Sequence, residues 1–244
     1  MVRPPVERQT PRITANELAL FMVSSDTARF GIIRRSKYPQ TPPIIRYRDV
    51  KEVVCSFLAD PMRHVNRLVS AESMFSQRAA DNSVSPLKRD DAMASIDVLH
   101  SLQGMSNQLN SLLFEAAPST QDKLLLAGVE VSVRADLVTK LVIRGQDFSG
   151  VAVLRLTQDA ADTEAARSKR RDMGVYVATL ARMHADQNFQ FILPVSNRAC
   201  VSIDIQHGEM FQAPAANSRR IADLENACRF IAGMWESTTP LNSN

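Results

Sequence analysis

Residues 128–156, GVEVSVRADLVTKLVIRGQDFSGVAVLRL, decide the fold. Val129, Val131, Val133, Ala135 and Leu137 alternate with Glu130, Ser132, Arg134 and Asp136. A period of two puts the apolar set on one face of a strand and the polar set on the other. VTKLVIR reads as a second strand, and GVAVLRL, apolar on both faces, as a central buried one. One carboxylate, Asp136, is held between apolar neighbours, and one guanidinium, Arg155, lies inside the central strand.

Upstream the period is helical. Thr14 and Glu17 have capping-box spacing, flanked by Ile13 and Leu18 as a hydrophobic staple, and Phe21 and Met22 continue the apolar face. Pro39, Pro42 and Pro43 make KYPQTPPIIRYRD irregular, because each fixes φ and lacks an amide donor. A second helix is expected over about 49–58, and a third from Asp60 with Pro61 at its first position. AADNSVSPLKRD reads as a loop. Met93, Ile96, Leu99, Leu102, Leu109, Leu112 and Leu113 then recur at three- and four-residue steps, predicting one long helix ended by APSTQD.

Downstream, a helix is expected from Asp159 to about Gln187, then strands at FQFILPV and ACVSIDIQ. HGE reads as a tight turn into a short edge strand, MFQAP. A last helix from near Asn217 carries Ile221, Leu224, Cys228, Ile231, Met234 and Trp235, the tryptophan as a core anchor. Helices able to cover both faces of a run of strands define an α/β or α+β domain. The expectation is a mixed central sheet of about five or six strands and a helical N-terminal half. It divides the chain into a tail over 1–12, helices over 13–117, a sheet region over 118–236 joined to them in one domain, and a tail over 237–244.

The 244 residues suffice for one large domain, and 45% hydrophobic with 23% charged residues is the balance of a soluble globular protein. Eight glycines argue against a glycine-rich barrel or propeller. A net charge of +3 is compatible with a nucleic-acid partner. Cys55, Cys200 and Cys228 are far apart without metal-binding spacing, which reads as reduced thiols in a cytoplasmic protein. No apolar run approaches the roughly 20 residues of a membrane helix, so no membrane partner is expected. MVRPPVERQTPR lacks the apolar core of a secretory signal.

Asp136, at a strand end, is a candidate oxygen ligand for a divalent cation. Metal-assisted phosphodiester cleavage needs a second carboxylate and a cation beside the attacking water. Glu130 shares the face of Asp136 by parity but lies roughly 20 Å back along an extended strand. The plainer reading is a strand-end aspartate bonded to backbone or to Arg134. Arg155 must be paired, because a buried guanidinium is costly otherwise. Asp136 is its expected partner across the sheet, with phosphate binding the functional alternative.

Arg29, Arg34, Arg35, Lys37, Arg46, Arg48 and Lys51 crowd the first helix and the loop after it, interleaved with Tyr38 and Tyr47. Arg167, Lys169, Arg170 and Arg171 form a second cluster in the helix after the third strand. Cations among aromatics suit phosphate contacts and base stacking; a solvated helix face is the plainer reading. His64, His100, His184 and His207 share no motif and read as structural or surface residues. A glycine-rich phosphate loop, a G-x-S-x-G elbow and H-E-x-x-H are absent.

The order of a helical lead-in, three strands, a helix and further strands resembles the PD-(D/E)XK nuclease superfamily, especially its RecB-like branch. There a helical segment opens the domain, an Asp lies on the second core strand, acid-x-Lys on the third, and a helix carries Gln-x-x-x-Tyr. ITANELALFMVSSDTARFGIIRR is similar to the opening helix and VRADLV to the Asp strand. GVAVLRL is similar to the acid-x-Lys strand and DMGVYVATL to the tyrosine helix. The likeness in element order covers residues 13–206, and Asp136 and Tyr176 match residue by residue. Val153 stands at the second acid, Arg155 at the lysine and Asp172 at the glutamine. Valine binds no metal, and arginine stays protonated near neutral pH. The resemblance therefore implies either an acid that has migrated, to Glu164 or Asp159, or a fold without catalysis.

Three functions follow. The first is a PD-(D/E)XK-like domain lacking a complete metal site, which binds DNA, RNA or a partner protein and needs no cofactor. Asp136 and Arg155 are then a structural pair, and the basic clusters contact phosphate. The second is a nuclease dependent on Mg²⁺ or Mn²⁺, in which Asp136 and Glu164 hold the metal, Arg155 or Lys140 faces the phosphate, and Tyr176 completes the site. The third is an interaction protein with no nucleic-acid role.

Overall fold

The computed structural model describes residues 6–40, 42, 44–156 and 161–240. Thr14 caps helix α1 (Ala15–Met22): its hydroxyl accepts the Glu17 amide at 3.2 Å, and the Glu17 carboxylate accepts the Thr14 amide at 3.2 Å. Ile13 and Leu18, the staple pair, are both fully buried. The opening helix is not continuous. It stops after Met22, Ser25 holds the N-cap position of a second helix, α2 (Asp26–Lys37), without a side-chain bond, and the Ser24 hydroxyl turns back to the Leu20 carbonyl at 2.6 Å. Serine competes for backbone in this way and so favours helix ends.

Four more helices follow: α3 (Arg48–Leu58), α4 (Asn66–Ala80), α5 (Pro86–Gly104) and the single-turn α6 (Ser106–Leu109). Asp60 and Pro61 do not begin a helix. The Asp60 carboxylate instead accepts the Met62 amide at 3.0 Å in a side-chain-closed turn, and α4 starts only at Asn66. PLKRD is helical, with Pro86 in the first turn of α5, where its missing amide costs nothing. The predicted long helix ends at Gly104, and Leu113 opens a strand, β2 (Leu113–Ala116).

The decisive stretch is divided between two sheets. β4 (Val129–Ser132) lies between β1 (Arg12–Thr14), to which it is parallel, and the antiparallel β3 (Leu124–Leu126). β5 (Leu137–Ile143) belongs to a five-stranded sheet ordered β2-β5-β6-β7-β8, with β6 (Gln146–Arg155), β7 (Val201–Asp204) and β8 (Glu209–Gln212). Val129 to Ala135 keep their predicted common face, but Leu137 enters the opposite core. The cause is local. Leu137 is in register with Ala152, and the Asp136 amide also donates to the Ala152 carbonyl at 2.8 Å. Two successive residues thus oppose one, the arrangement of a β-bulge, which resets the parity of everything before it.

β5 and β6 form an antiparallel hairpin. Helix α7 (Glu164–Asn188) lies between β6 and β7 in the chain, and β7 returns parallel to β6. FQFILPV is not a strand. Ile192 is fully exposed, and only an isolated bridge between Ser149 and Val195 ties the segment to the sheet. Helix α8 (Ser218–Trp235) closes the fold. The chain is therefore α/β with a mixed central sheet of five strands. On β6, Val151 and Val153 pack toward α1, α2, α7 and α8, whereas Ala152 and Leu154 pack toward α3, α4 and α5. Each face of the central strand has its own core.

Candidate functional site

The bulge aims the Asp136 side chain at α3. Its Oδ2 accepts the Leu154 amide at 2.7 Å, its Oδ1 lies 2.8 Å from Lys51 Nζ, and only 5% of the side chain is exposed. The entry of α3 is fixed by Tyr47, whose φ of 59° is left-handed. Such a backbone persists in a tyrosine only when its surroundings over-determine it. Here the Tyr47 amide donates to Asp91 at 2.8 Å and its hydroxyl accepts Gln206 Nε2 at 2.9 Å. From the other side, Gln121 pairs with both backbone groups of Ala135, at 2.9 and 2.8 Å. His184 Nε2 donates to the same Gln121 Oε1 at 2.9 Å, while its Nδ1 accepts Asn188 Nδ2 at 2.7 Å. Burial pushes the imidazole pKa down, as suits this neutral tautomer.

Asp136 lines a cleft of about 1210 Å³ between α3 and the start of β5. Five cations line it with three carboxylates: Arg46, Arg48, Lys51, Arg67 and Arg134 against Glu52, Asp60 and Asp136. Arg46 reaches Asp90 at 2.6 Å, Arg48 reaches Glu52 at 3.6 Å and Arg67 donates to the Ser56 hydroxyl at 2.7 Å. The Cys55 thiol, also in the cleft, is pushed up to about 11 by burial and then by the charge of Asp136. It stays protonated near neutral pH and is no nucleophile there.

Arg155 is not the partner of Asp136. It lies on the α7 face of β6, 1% exposed, in register with Asp204 of β7. Its NH1 is 3.5 Å from Asp204 Oδ2 and donates to the Arg170 carbonyl at 3.4 Å. Burial pulls the guanidinium pKa down, with the charge of Asp204 opposing. His207 Nδ1 adds a 2.9 Å contact to Asp204 Oδ1. The expected pair fails because the bulge turns Asp136 to one face while strand alternation sends Val153 and Arg155 to the other. The β6 side chain on the Asp136 face that lines the cleft is Leu154, with Leu156 just beyond the strand. That face offers neither acid nor lysine.

The other expected catalytic residues are dispersed. Glu164 opens α7 at an exposed position and does not line the cleft. Asp159 lies outside the described residues. Tyr176 lines a separate cavity of about 770 Å³, and burial, then Asp223, push its hydroxyl pKa up. Lys140 pairs with Glu115 on β2. Among the described residues no group of three or more His, Cys, Asp or Glu side chains is arranged to hold a metal ion, and no helix is long and apolar enough to cross a membrane.

The basic residues separate into structural and open ones. Arg29 sits 5.2 Å over the Phe21 ring and bonds the Phe21 carbonyl at 3.0 Å; Arg34 bonds the Thr239 carbonyl at 3.1 Å. Lys37 is buried and donates to the Trp235 carbonyl at 2.9 Å. Arg35 is exposed on α2. Of this first cluster, Arg46, Arg48 and Lys51 reach the cleft. In the second, Arg167 pairs with Asp162 at 2.8 Å, and the buried Arg170 bonds the Ala161 carbonyl at 2.6 Å. Lys169 lines the cavity of Tyr176, and Arg171 is exposed. Tyr47 is buried, the Lys37 ammonium lies over the half-buried Tyr38 ring at 5.4 Å, and Tyr38 does not line the cleft. Sequence reasoning missed Arg67 and took Arg134 only for a neighbour of Asp136. The four-residue step from Lys51 to Cys55 along α3, continued by Ala59 just past its end, marks the cleft-facing stripe, and nothing in the sequence ties that stripe to Asp136.

No protein-family model matches the chain, and no curated protein matches it.

Proposed function

We propose that the chain is a PD-(D/E)XK-like domain without a complete metal site, which binds nucleic acid through the cleft around Asp136. The antiparallel β2-β5-β6 order, with β3 and β4 inserted after β2 in the chain, then α7, then a parallel β7, behind a helical lead-in, supports the likeness in element order. The observation that carries the binding reading is the set of five cations on one cleft against three carboxylates. Both oxygens of Asp136 are already engaged, one by an ammonium and one by a backbone amide. A metal needs such oxygens open and a second acid beside them. Cations on a cleft without an open aromatic ring suit phosphate contacts, which position a strand without reading its sequence.

The test is fluorescence anisotropy of short labelled DNA and RNA against salt. The expected result is binding at low salt that weakens steeply as salt rises, because each neutralised phosphate releases counterions. Arg48→Ala/Arg134→Ala is expected to weaken binding and lower the salt slope by about 2, roughly 1 per lost phosphate contact. No binding at low salt overturns the reading. So does Mg²⁺-dependent cleavage that Asp136→Ala abolishes. Capture of a partner protein in place of nucleic acid overturns it in favour of a scaffold.

A further inference from the structure

On the side of the central sheet opposite the cleft, the surface carries what the cleft lacks, open aromatic rings. Phe30 of α2 and Phe230 of α8 are 43% and 45% exposed, with centroids 6.2 Å apart in an edge-on arrangement. They line a cavity of about 530 Å³ that also takes in Asn226 and Asp223. This cavity meets the one holding Tyr176 at two shared residues, Met22 and Asp223. The second basin presents Lys169 of α7 and Arg219 and Arg220 of α8.

One stripe of α8 runs through both basins. Arg219 and Arg220, Asp223, Asn226 and Phe230 follow at three- and four-residue steps, so they share a helix face about 16 Å long. Both arginines lie in the first turn, where the partial positive charge of the helix end disfavours cations. Asp223, one turn on, offsets only part of that cost, and a bound anion would offset more. An apolar peptide would use the rings and leave the arginines unexplained. A phosphorylated small molecule would use the arginines and leave the rings. A duplex hides its base faces within the stack.

We propose that this groove binds single-stranded nucleic acid. Unpaired bases stack on Phe30 and Phe230, phosphates contact Arg219, Arg220 and Lys169, and base edges meet Asn226 and Asp223. Asp172 and Asp223 belong to the same surface and set it apart from a plain phosphate patch, because their oxygens accept from the exocyclic amines of bases. The proposal rests on the nucleic-acid reading above and adds the strand form.

The experiment compares the full chain on two labelled probes of equal length, an unstructured DNA single strand of mixed sequence and a duplex. Phe30→Ala/Phe230→Ala is expected to weaken single-strand binding about tenfold or more, since each base–ring stack is lost, and to leave duplex binding unchanged. Arg219→Glu/Arg220→Glu is expected to weaken single-strand binding likewise. Acids suit the first turn of α8 but face Asp223 one turn on, so the thermal midpoint is measured alongside, and binding lost at an unchanged midpoint is not lost through unfolding. Arg48→Ala/Arg134→Ala should weaken both probes. Single-strand binding unchanged in both groove variants, with the cleft variant still deficient, overturns this proposal and leaves the cleft reading standing. A wild-type chain that binds neither probe overturns both.

Discussion

Asp136 and Lys51 are joined by a 2.8 Å ion pair that links the bulge at the start of β5 to the first turn of α3. Its carboxylate is almost wholly buried, whereas 36% of the lysine side chain is exposed. Solvent screens such a pair on the lysine side, so its strength is intermediate between surface and core pairs. Lys51→Met is expected to lower stability in urea by about 1–3 kcal/mol, because a carboxylate is left without its cation. Asp136→Asn in the same background should cost less than it does alone. A double-mutant cycle with coupling near zero would show the pair to be incidental.

Arg155 and Asp204 form the opposite case, a pair with 1% and 0% of the side chains exposed. Removing either charge leaves the other in the core without its opposite charge of this pair, with His207 still on Asp204 or the Arg170 carbonyl still on Arg155. Arg155→Met and Asp204→Asn are each expected to lose about 3–5 kcal/mol in urea unfolding. Arg155→Met/Asp204→Leu should lose far less than their sum, since two well-packed apolar side chains can replace a buried pair. Arg155 reaches no solvent, so the change belongs in the urea midpoint and leaves the salt slope of nucleic-acid binding alone.

What was legible in the sequence is what short-range physics determines. The capping box of Thr14 and Glu17 and the apolar run of β6 need only neighbours in the chain. The mixed sheet follows from the order of such elements. The bulge at Asp136 does not, because alternation looks unbroken through Leu137 and only the pairing with Ala152 exposes the extra residue. The pairing error followed from it: a shift of one residue exchanges faces, and Asp136 changed partners from Arg155 to Lys51. In the same way, Asp60-Pro61 carries a helix-start signal that a local side-chain turn outcompetes. The cleft draws on α1, α3, α4 and the five-stranded sheet, so no single window of sequence contains it.

His184 makes stability depend on pH in a definite direction. Its pKa is lowered from 6.5 by burial in the native state, so the unfolded chain binds the proton more readily. The stability it contributes is complete above about 6.5 and is lost as pH falls from there through the native pKa. Thermal midpoints measured downward across this window should fall. His184→Gln can bond Gln121 and Asn188 without titrating, and is expected to flatten the fall. An equally steep profile in that variant would place the titration elsewhere.

Two helical glycines should respond with opposite signs to alanine. A Cβ at Gly174 of α7 would come within 2.1 Å of the Phe211 ring of β8, closer than any real contact. At Gly233 of α8 nothing lies within 4 Å, and the position is exposed. Gly233→Ala is expected to raise stability by about 0.5–1 kcal/mol through helix propensity alone. Gly174→Ala gains the same propensity but must push an aromatic ring out of the α7–β8 interface, at about 1–3 kcal/mol. Urea unfolding of the two variants checks the packing directly. A stabilised Gly174→Ala would mean that Phe211 has room to move, and that α7 is less tightly seated on β8 than the contact distance implies.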